Sequence, residues 1–596
     1  VAKIDSKGQL DCSPARIKGA RGLIPILPLV FLILVVGVLP FFTALGNSFF
    51  SDIWGEERRW TGLTNYISLF EDRAFLISLG ITLAWAILST LITLSLGFVV
   101  ACALLSAKKG YKALYLALLV PWGIPSFISV PLWRMIVHGN GGRSILSALT
   151  GIETNLLTNP MAGFLSALAV DVWLGIPLIA FATYAALGAQ DRCATEAAKI
   201  DGAGSWTIAR WIWAPQARTT ILILGALDFV KSFKEFSVPF LMTAGGPPFL
   251  AGITRKNIVG ATTTLEIFLY DAFRAQNDFG VPSAYSVVVG ALVLALVSLW
   301  FILRKRIGLH EKRIEPGYFG IGAEIPWKIA TGIVPALCVL SALAVIYAVL
   351  WLSFSSLSAV YIDRAIPRFI STASYRSIIR DESIFRYFFN TFIVSALTAI
   401  LIPVVILPAA WKLTRVQPSR SVTMLAFIEA MGMTGGIHSL IPLFIVFRAV
   451  GLLGGFTPVV TVYLFHALPL SLFTIKALLD RIPPSFEEAA KMEGMPVAAY
   501  VLRIVVPLCL PAIAAAMMTS FISAWNGFLV PLIFLSDDRL YTIGIKLHSL
   551  VGSVASGSPK WNLFAAASVL NMVFVALFLW KFSDPLKRNL MSEAWQ

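Results

Sequence analysis

The chain has 596 residues, of which 58% are hydrophobic and only 13% charged, with a formal net charge of +15 and a mean hydropathy of +0.81. That balance excludes a soluble globular domain, whose composition is far more polar. The basic excess does not call for nucleic acid, because Lys and Arg beside membrane spans set topology and contact lipid headgroups.

Crossing the hydrocarbon layer takes about 20 apolar residues in a helix, since lipid cannot satisfy backbone hydrogen-bonding groups. In chain order the apolar runs lie near Leu23 to Phe50, Leu76 to Leu105, Ala113 to Trp133, Pro160 to Leu187, Thr219 to Thr243 and Val281 to Leu303. The second series lies near Ile329 to Trp351, Tyr387 to Trp411, Ser421 to Phe447, Phe456 to Ile475, Leu508 to Leu535 and Trp561 to Trp580. The expected fold is therefore an all-α integral membrane protein with 12 transmembrane helices in two six-helix halves. Runs that contain proline are expected to kink or break. The first run follows Arg16, Lys18 and Arg21 as a signal peptide would, but it exceeds a cleavable apolar core of about 7 to 15 residues and is read as a retained helix. With an even number of spans both termini share one side, and clusters such as Lys108-Lys109 and Arg304-Lys305-Arg306 assign that side to the cytoplasm. The five cysteines are scattered without paired spacing and the five histidines are equally dispersed, so neither a disulfide framework nor a metal site is expected.

Between the fourth and fifth runs stands Glu196-Ala-Ala-Lys-Ile-Asp-Gly202, and 292 positions later Glu488-Ala-Ala-Lys-Met-Glu-Gly494. The same offset pairs Pro177 with Pro469, Phe181 with Phe473, Pro215 with Pro507, Phe229 with Phe521, Phe236 with Phe528 and Pro239 with Pro531. A constant register across two apolar runs and the loop between them indicates two homologous halves. Within each loop, Glu-Ala-Ala-Lys supplies strong helix formers and the glycine can end the helix in a left-handed turn, so a short exposed helix is expected. A single copy would pass as a connector, whereas two in one register favour a shared docking role.

The fifth run carries charge. Asp228, Lys231, Ser232 and Glu235 fall at i, i+3, i+4 and i+7 and share one helix face, with Lys234 beside them. An ionisable group at mid-membrane costs about 2.5 to 3.5 kcal/mol on insertion scales, so it faces a cavity or a partner. One reading is an internal ion-pair ladder, with Lys231 between Asp228 and Glu235. The other is a substrate path, because the offset carries Asp228, Lys231 and Lys234 onto Ser520, Ser523 and Asn526 in the eleventh run, across a pseudo-twofold axis. Asp171, Glu429 and Lys476 are weaker candidates, and Lys476 stands near a span end where it can snorkel.

The loop pattern of Glu-Ala-Ala, three residues, Gly and a later proline resembles that of the permease subunits of ABC importers. Glu196, Ala197, Ala198, Asp201 and Gly202 match in the first copy, and Glu488, Ala489, Ala490, Glu493 and Gly494 in the second, where Glu493 replaces the usual Asp. Gly62-Leu-Thr-Asn-Tyr66 with Leu69-Phe70, Leu241-Met-Thr-Ala-Gly-Gly-Pro247, and Trp525-Asn526-Gly-Phe528 with Pro531 are similar to maltose-type carbohydrate permeases. The first two resemble one subunit of such a pair and the last the other, so two normally separate subunits look fused.

The resemblance implies two ABC nucleotide-binding subunits docked on the two loops, an extracytoplasmic solute-binding protein, and ATP-driven uptake of a sugar or oligosaccharide by alternating access. For such a substrate, Asn526 and Glu235 can serve sugar hydroxyls, and Trp525, Phe229 and Phe233 can serve ring faces. A charged stripe equally suits an acidic sugar, and ordinary packing is the plainer account of each aromatic taken alone. No catalytic residue is expected. The chain has no Gly-x-x-x-x-Gly-Lys-Ser/Thr phosphate loop, so it is expected to bind no cofactor, with ATP and Mg in the partner subunits. The expected division is a cytoplasmic segment 1–22, a first half 23–303 with coupling loop 188–218, a linker 304–328, and a second half 329–596 with coupling loop 476–507. Alternatives are a fused ABC permease for iron, thiamine or polyamine, and a 12-helix secondary transporter. The loop Ser106-Ala-Lys-Lys-Gly-Tyr-Lys112 lacks the Gly-x-x-x-Asp pattern of the major facilitator group, which argues against the latter.

Overall fold

The computed structural model describes residues 26–51, 58–106, 111–138, 155–156, 158–190, 193–253, 258–275, 279–307, 324–355, 370–380, 382–415, 418–483, 485–552 and 559–593. In the first half α1 spans Leu27–Asn47, with a π-helical stretch at Ile33–Val38, and α2 spans Arg73–Ser106. Next come α3 (Tyr111–Gly123), α4 (Ser126–His138), α5 (Pro160–Gly188), the short α6 (Cys193–Ile200), α7 (Ala214–Phe233), α8 (Ser237–Thr243), α9 (Leu265–Ala275) and α10 (Gly280–Ile307). The second half repeats the order: α11 (Glu324–Ser353), α12 (Glu382–Leu413), α13 (Pro418–Met433), α14 (Ile437–Ala449), α15 (Thr457–Leu479), α16 (Ser485–Met492), α17 (Val506–Trp525), α18 (Leu529–Phe534), α19 (Ile543–Val551) and α20 (Trp561–Glu593). Two short antiparallel strand pairs, Phe50–Ser51 with Arg59–Trp60 and Pro248–Ile253 with Ile258–Gly260, are the described β-structure.

The repeat is visible in the breaks. The third span of each half is two helices bent at a short interruption, by 106° between α3 and α4 and by 86° between α13 and α14. Those breaks are out of the 292 register, because α4 and α14 start at Ser126 and Ile437. The register is recovered at α5 and α15, so the extra length of the first half lies in its longer connection after α4.

Each half lends its first helix to the other. α11 packs on α2 and α3 of the first half and is held to α5 by Trp173 Nε1, which donates to Ser341 Oγ at 2.9 Å, while α1 packs on α12 and α14 of the second. The halves are therefore interleaved rather than apposed. Residues 1–22 lie outside the described residues. The linker expected at 304–328 is shorter as structure, since α10 continues to Ile307 and α11 begins at Glu324.

Among the described residues nine helices are long and apolar enough to cross a membrane, or eleven if each bent pair is one span. The expected fifth span accounts for the difference from twelve. It is α7, whose 20 residues rise about 30 Å, but Arg218, Asp228 and Lys231 remove it from the apolar class. It survives by packing inside, against α2, α5 and α10. Small residues set the packing of α2 on α5 and of α7 on α2, as close approach of spans requires. A Cβ on Gly97 of α2 would stand 2.6 Å from Ile179, one on Gly175 of α5 2.8 Å from Thr93, and one on Gly225 of α7 2.8 Å from Leu94.

The three sequence motifs are partly structural. Buried Asn65 donates to the carbonyls of Ser48 (2.8 Å) and Phe50 (3.1 Å), pinning the connection between α1 and α2. Ala244 and Gly245 take positive φ to end α8, and Thr263 Oγ1 donates to Gly245 O at 2.9 Å. Trp525 is a core residue, its Nε1 donating to Asn571 Oδ1 at 3.1 Å and its ring stacked on Phe574 at 4.6 Å.

Gly97→Ala is predicted to lower the thermal stability of the detergent-solubilised chain by about 1 to 3 kcal/mol through overpacking. A Cβ on Gly80 of the same helix meets nothing within 4 Å, so Gly80→Ala is predicted to leave stability unchanged or raise it slightly.

Candidate binding cavity and paired surface helices

At the far ends of α7 and α17 from the repeated loops, both helices stop within a residue of their polar stripes, capped at Lys234 and Asn526. Between them lies a cavity of about 350 Å³ walled by both halves. Lys231, Lys234 and Glu235 come from the first, and Tyr463, His466 and Asn526 from the second. A helix C-terminus carries about half a negative charge, so the ends of α7 and α17 favour cations such as these lysines.

The lysines are already engaged. Lys231 Nζ lies 3.6 Å from Asp171 Oδ1 of α5, with the Lys231 side chain 46% exposed and that of Asp171 1%. The other Asp171 oxygen accepts from Ser89 Oγ at 2.6 Å. Lys234 crosses to the second half, where its Nζ donates to the carbonyls of Met433 and Gly435, the latter at 2.8 Å. These stand at the break between α13 and α14. From α9 of the first half, Glu266 reaches the same break, its Oε2 accepting from Ile437 N at 2.5 Å and its Oε1 2.7 Å from His438 Nδ1. A cation thus caps the C-terminus of α13 and an anion the N-terminus of α14, each matching the local dipole.

Beyond the ends of α7 and α17 the halves also touch each other. Buried Arg134 of α4 donates to Gly552 O of the second half at 2.8 Å and to Leu241 O at 3.3 Å. Phe240 stands 6.3 Å from Phe528 and 5.5 Å from His548, ring to ring.

Of the residues singled out from sequence, Lys231, Glu235 and Asn526 are brought together on this wall. Asp228 is buried beside Gly175, and Ser232 is buried 3.4 Å from Ser89 Oγ, so both belong to the packing of α7 on α2 and α5. Phe229 is half-buried in the main core and Phe233 is fully buried there. Ser520 is buried against Ser471 at 3.4 Å, Ser523 is exposed off the cavity wall, and Trp525 turns into the core. Lys476 pairs with Asp480 at 2.6 Å on the same helix turn. Tyr463 and His466 of α15 were not singled out. A signal for the first existed, because the 292 offset carries Asp171 onto Tyr463.

The repeated loops form the second feature. α6 and α16 are eight-residue helices that end alike. Gly202 has φ +79° and Gly494 φ +70°. In the first, Gly202 N donates to Lys199 O and Ala203 N to Ala198 O; in the second, Gly494 N donates to Lys491 O and Met495 N to Ala490 O. Both patterns are Schellman stops, which need the left-handed glycine. Nothing lies within 4 Å of a Cβ at either glycine, so backbone geometry and not crowding requires them. Ala490 is buried and Ala198 half-buried, turning Glu196, Ala197, Glu488 and Ala489 outward with Asp201 and Glu493 at the helix ends. Ile200 and Met492, one offset apart, are 86% and 88% exposed. The anchoring differs: α6 is held by Trp213 Nε1 donating to Thr195 Oγ1 at 3.2 Å, and α16 by an Arg415–Glu487 ion pair of 2.6 Å.

Removing Lys231 strands the buried Asp171 carboxylate. Lys231→Met is predicted to destabilise the solubilised chain by about 1 to 3 kcal/mol, less than for a fully buried pair because the ammonium is half exposed. Adding Asp171→Asn is predicted to restore part of that loss, so thermal unfolding of the single and double variants should be non-additive.

Residues 93–309 and 370–584 each match the family described as the binding-protein-dependent transport system inner membrane component. The chain is 28% identical over 282 residues to the trehalose/maltose transport system permease protein of Thermococcus litoralis, covering 47% of this chain and 92% of that one. It is 28% identical to the sulfoquinovosyl glycerol transport system permease protein of Agrobacterium fabrum, covering 38% and 78%. To the trehalose transport system permease protein of Mycobacterium tuberculosis it is 29% identical, covering 40% and 91%. These relatives each correspond to roughly half of this chain, and the family matches it twice. The chain is a multi-pass member of the binding-protein-dependent transport system inner membrane component family, with two copies of that domain joined in one polypeptide.

Proposed function

We propose that this chain is the fused permease pair of an ATP-driven, binding-protein-dependent importer of a sugar or oligosaccharide. The observation that carries the reading is the pair of exposed helices, α6 and α16, with identical glycine stops one offset apart, beside a polar cavity lined by both halves. Two docking helices call for two nucleotide-binding subunits, with Ile200 and Met492 as the apolar tips that leave water on docking. ATP and Mg belong to those subunits, and this chain supplies the path and no catalytic group. The distribution of basic residues supports a cytoplasmic side for both termini and both coupling helices.

Closure of the nucleotide-binding subunits would bring α6 and α16 together. Because α7 and α17 run from these helices to the cavity, such a motion reaches the cavity through rigid elements. Outward opening must then part the contacts of Arg134 with Gly552, of Lys234 with Gly435 and of Glu266 with His438. Substrate would arrive from an extracytoplasmic binding protein. The sugar assignment is supported by the relatives, whose names specify trehalose, maltose and sulfoquinovosyl glycerol.

Gly202→Val and Gly494→Val each force a branched side chain into a left-handed backbone, a cost of about 1 to 2 kcal/mol that distorts the helix ends. Each variant is predicted to insert normally and to lose most sugar uptake while ATP hydrolysis by the co-purified complex becomes insensitive to loaded binding protein. Uptake at the parental rate in both variants would refute the coupling role.

A further inference from the structure

The cavity is asymmetric in a way the repeat makes legible. One offset relates Asp171 to Tyr463, Lys231 to Ser523, Lys234 to Asn526 and Glu235 to Gly527. Where the first half places a short carboxylate on α5 and a long one after α7, the second places a large phenol on α15 and no side chain after α17. The exchange conserves space. A Cβ on Gly527 would stand 1.8 Å from the Tyr463 hydroxyl oxygen, so the phenol occupies the room that the missing side chain leaves.

Tyr463 is 5% exposed, and its hydroxyl has no hydrogen-bond partner among the described residues. The same holds for Oδ1 of Asn526, the residue next to Gly527. Buried polar atoms in folded proteins are paired in the great majority, and these two belong to side chains that line the cavity. The cations across the cavity are committed elsewhere, Lys231 to Asp171 and Lys234 to two carbonyls at the end of α13. Tyr463 and Asn526 thus bring a neutral donor and a neutral acceptor, neither of them paired, to the second half's side of the cavity.

We propose that Tyr463 and Asn526 form a neutral subsite in which one hydroxyl group of the transported sugar accepts from the Tyr463 phenol and donates to Asn526 Oδ1. The inference rests on the sugar-importer reading. It makes Tyr463 a specificity-determining residue contributed by the second half, and it directs the cavity toward uncharged, hydroxyl-rich ligands.

Thermal stabilisation of the purified full chain in lipid nanodiscs by a panel of neutral mono-, di- and trisaccharides, including maltose and trehalose, tests it. For any sugar that stabilises the parental chain, Tyr463→Phe removes only the hydroxyl and is expected to shift the half-saturating concentration upward about three- to tenfold, the worth of one hydrogen bond. Without sugar the variant should melt at the parental temperature or above it, because it loses an unpaired buried hydroxyl. Gly527→Ala, which pushes the phenol aside, should weaken the same sugars. A Tyr463→Phe chain that titrates like the parent overturns the subsite, as does one that merely melts earlier with unchanged titration. A parental chain stabilised by no sugar in the panel overturns the sugar reading itself, and the subsite with it.

Discussion

A helix that carries Asp228 and Lys231 through lipid is tenable only if protein and not lipid surrounds it, and the arrangement of this chain follows from that constraint. α7 is enclosed by α2, α5 and α10. Its approach to α2 depends on Gly225, and the approach of α2 to α5 behind it on Gly97 and Gly175, each of which would clash with a neighbour if it carried a Cβ. Lys231 then meets Asp171, and the carboxylate is held by Ser89 as well. The pair fixes where α7 ends, and the end of α7 fixes one wall of the cavity.

The same logic of charge matched to helix ends joins the halves. The broken third span of the second half exposes carbonyls at the end of α13 and N–H groups at the start of α14, which lipid cannot satisfy. Lys234 answers the first and Glu266 the second, and both come from the first half. A fused chain therefore keeps in one polypeptide a set of contacts that would otherwise have to form between subunits. With α1 and α11 exchanged between halves, neither half has a complete wall of its own.

Much of this was legible in the sequence and some was not, for physical reasons. Spans are long and apolar, so their order can be read from composition, and a repeated heptapeptide survives as a pair of matching helices because its glycines are needed for φ. The polar stripe on α7 was visible as a face, but spacing along one helix cannot say which neighbour each side chain meets. Asp228 and Ser232 turned toward α2 and α5, while Lys231 and Glu235 faced the cavity. Trp525 shows the same limit: an aromatic beside Asn526 reads as a ring platform until Asn571 and Phe574 are seen to hold it. The bends after Gly123 and Met433 fall where proline and glycine interrupt the third run of each half, whereas the crossing of α1 and α11 depends on contacts distant in sequence and left no local signature.

The proposal that α6 and α16 each dock one ATP-binding subunit fixes a stoichiometry, and this can be measured directly. Native mass spectrometry of the complex purified from its own membrane through a tag on this chain should give one copy of the chain with two ATP-binding subunits, and ATP hydrolysis stimulated by a sugar-loaded binding protein. A chain that purifies without any ATP-binding subunit and moves solute down an ion gradient would contradict the account.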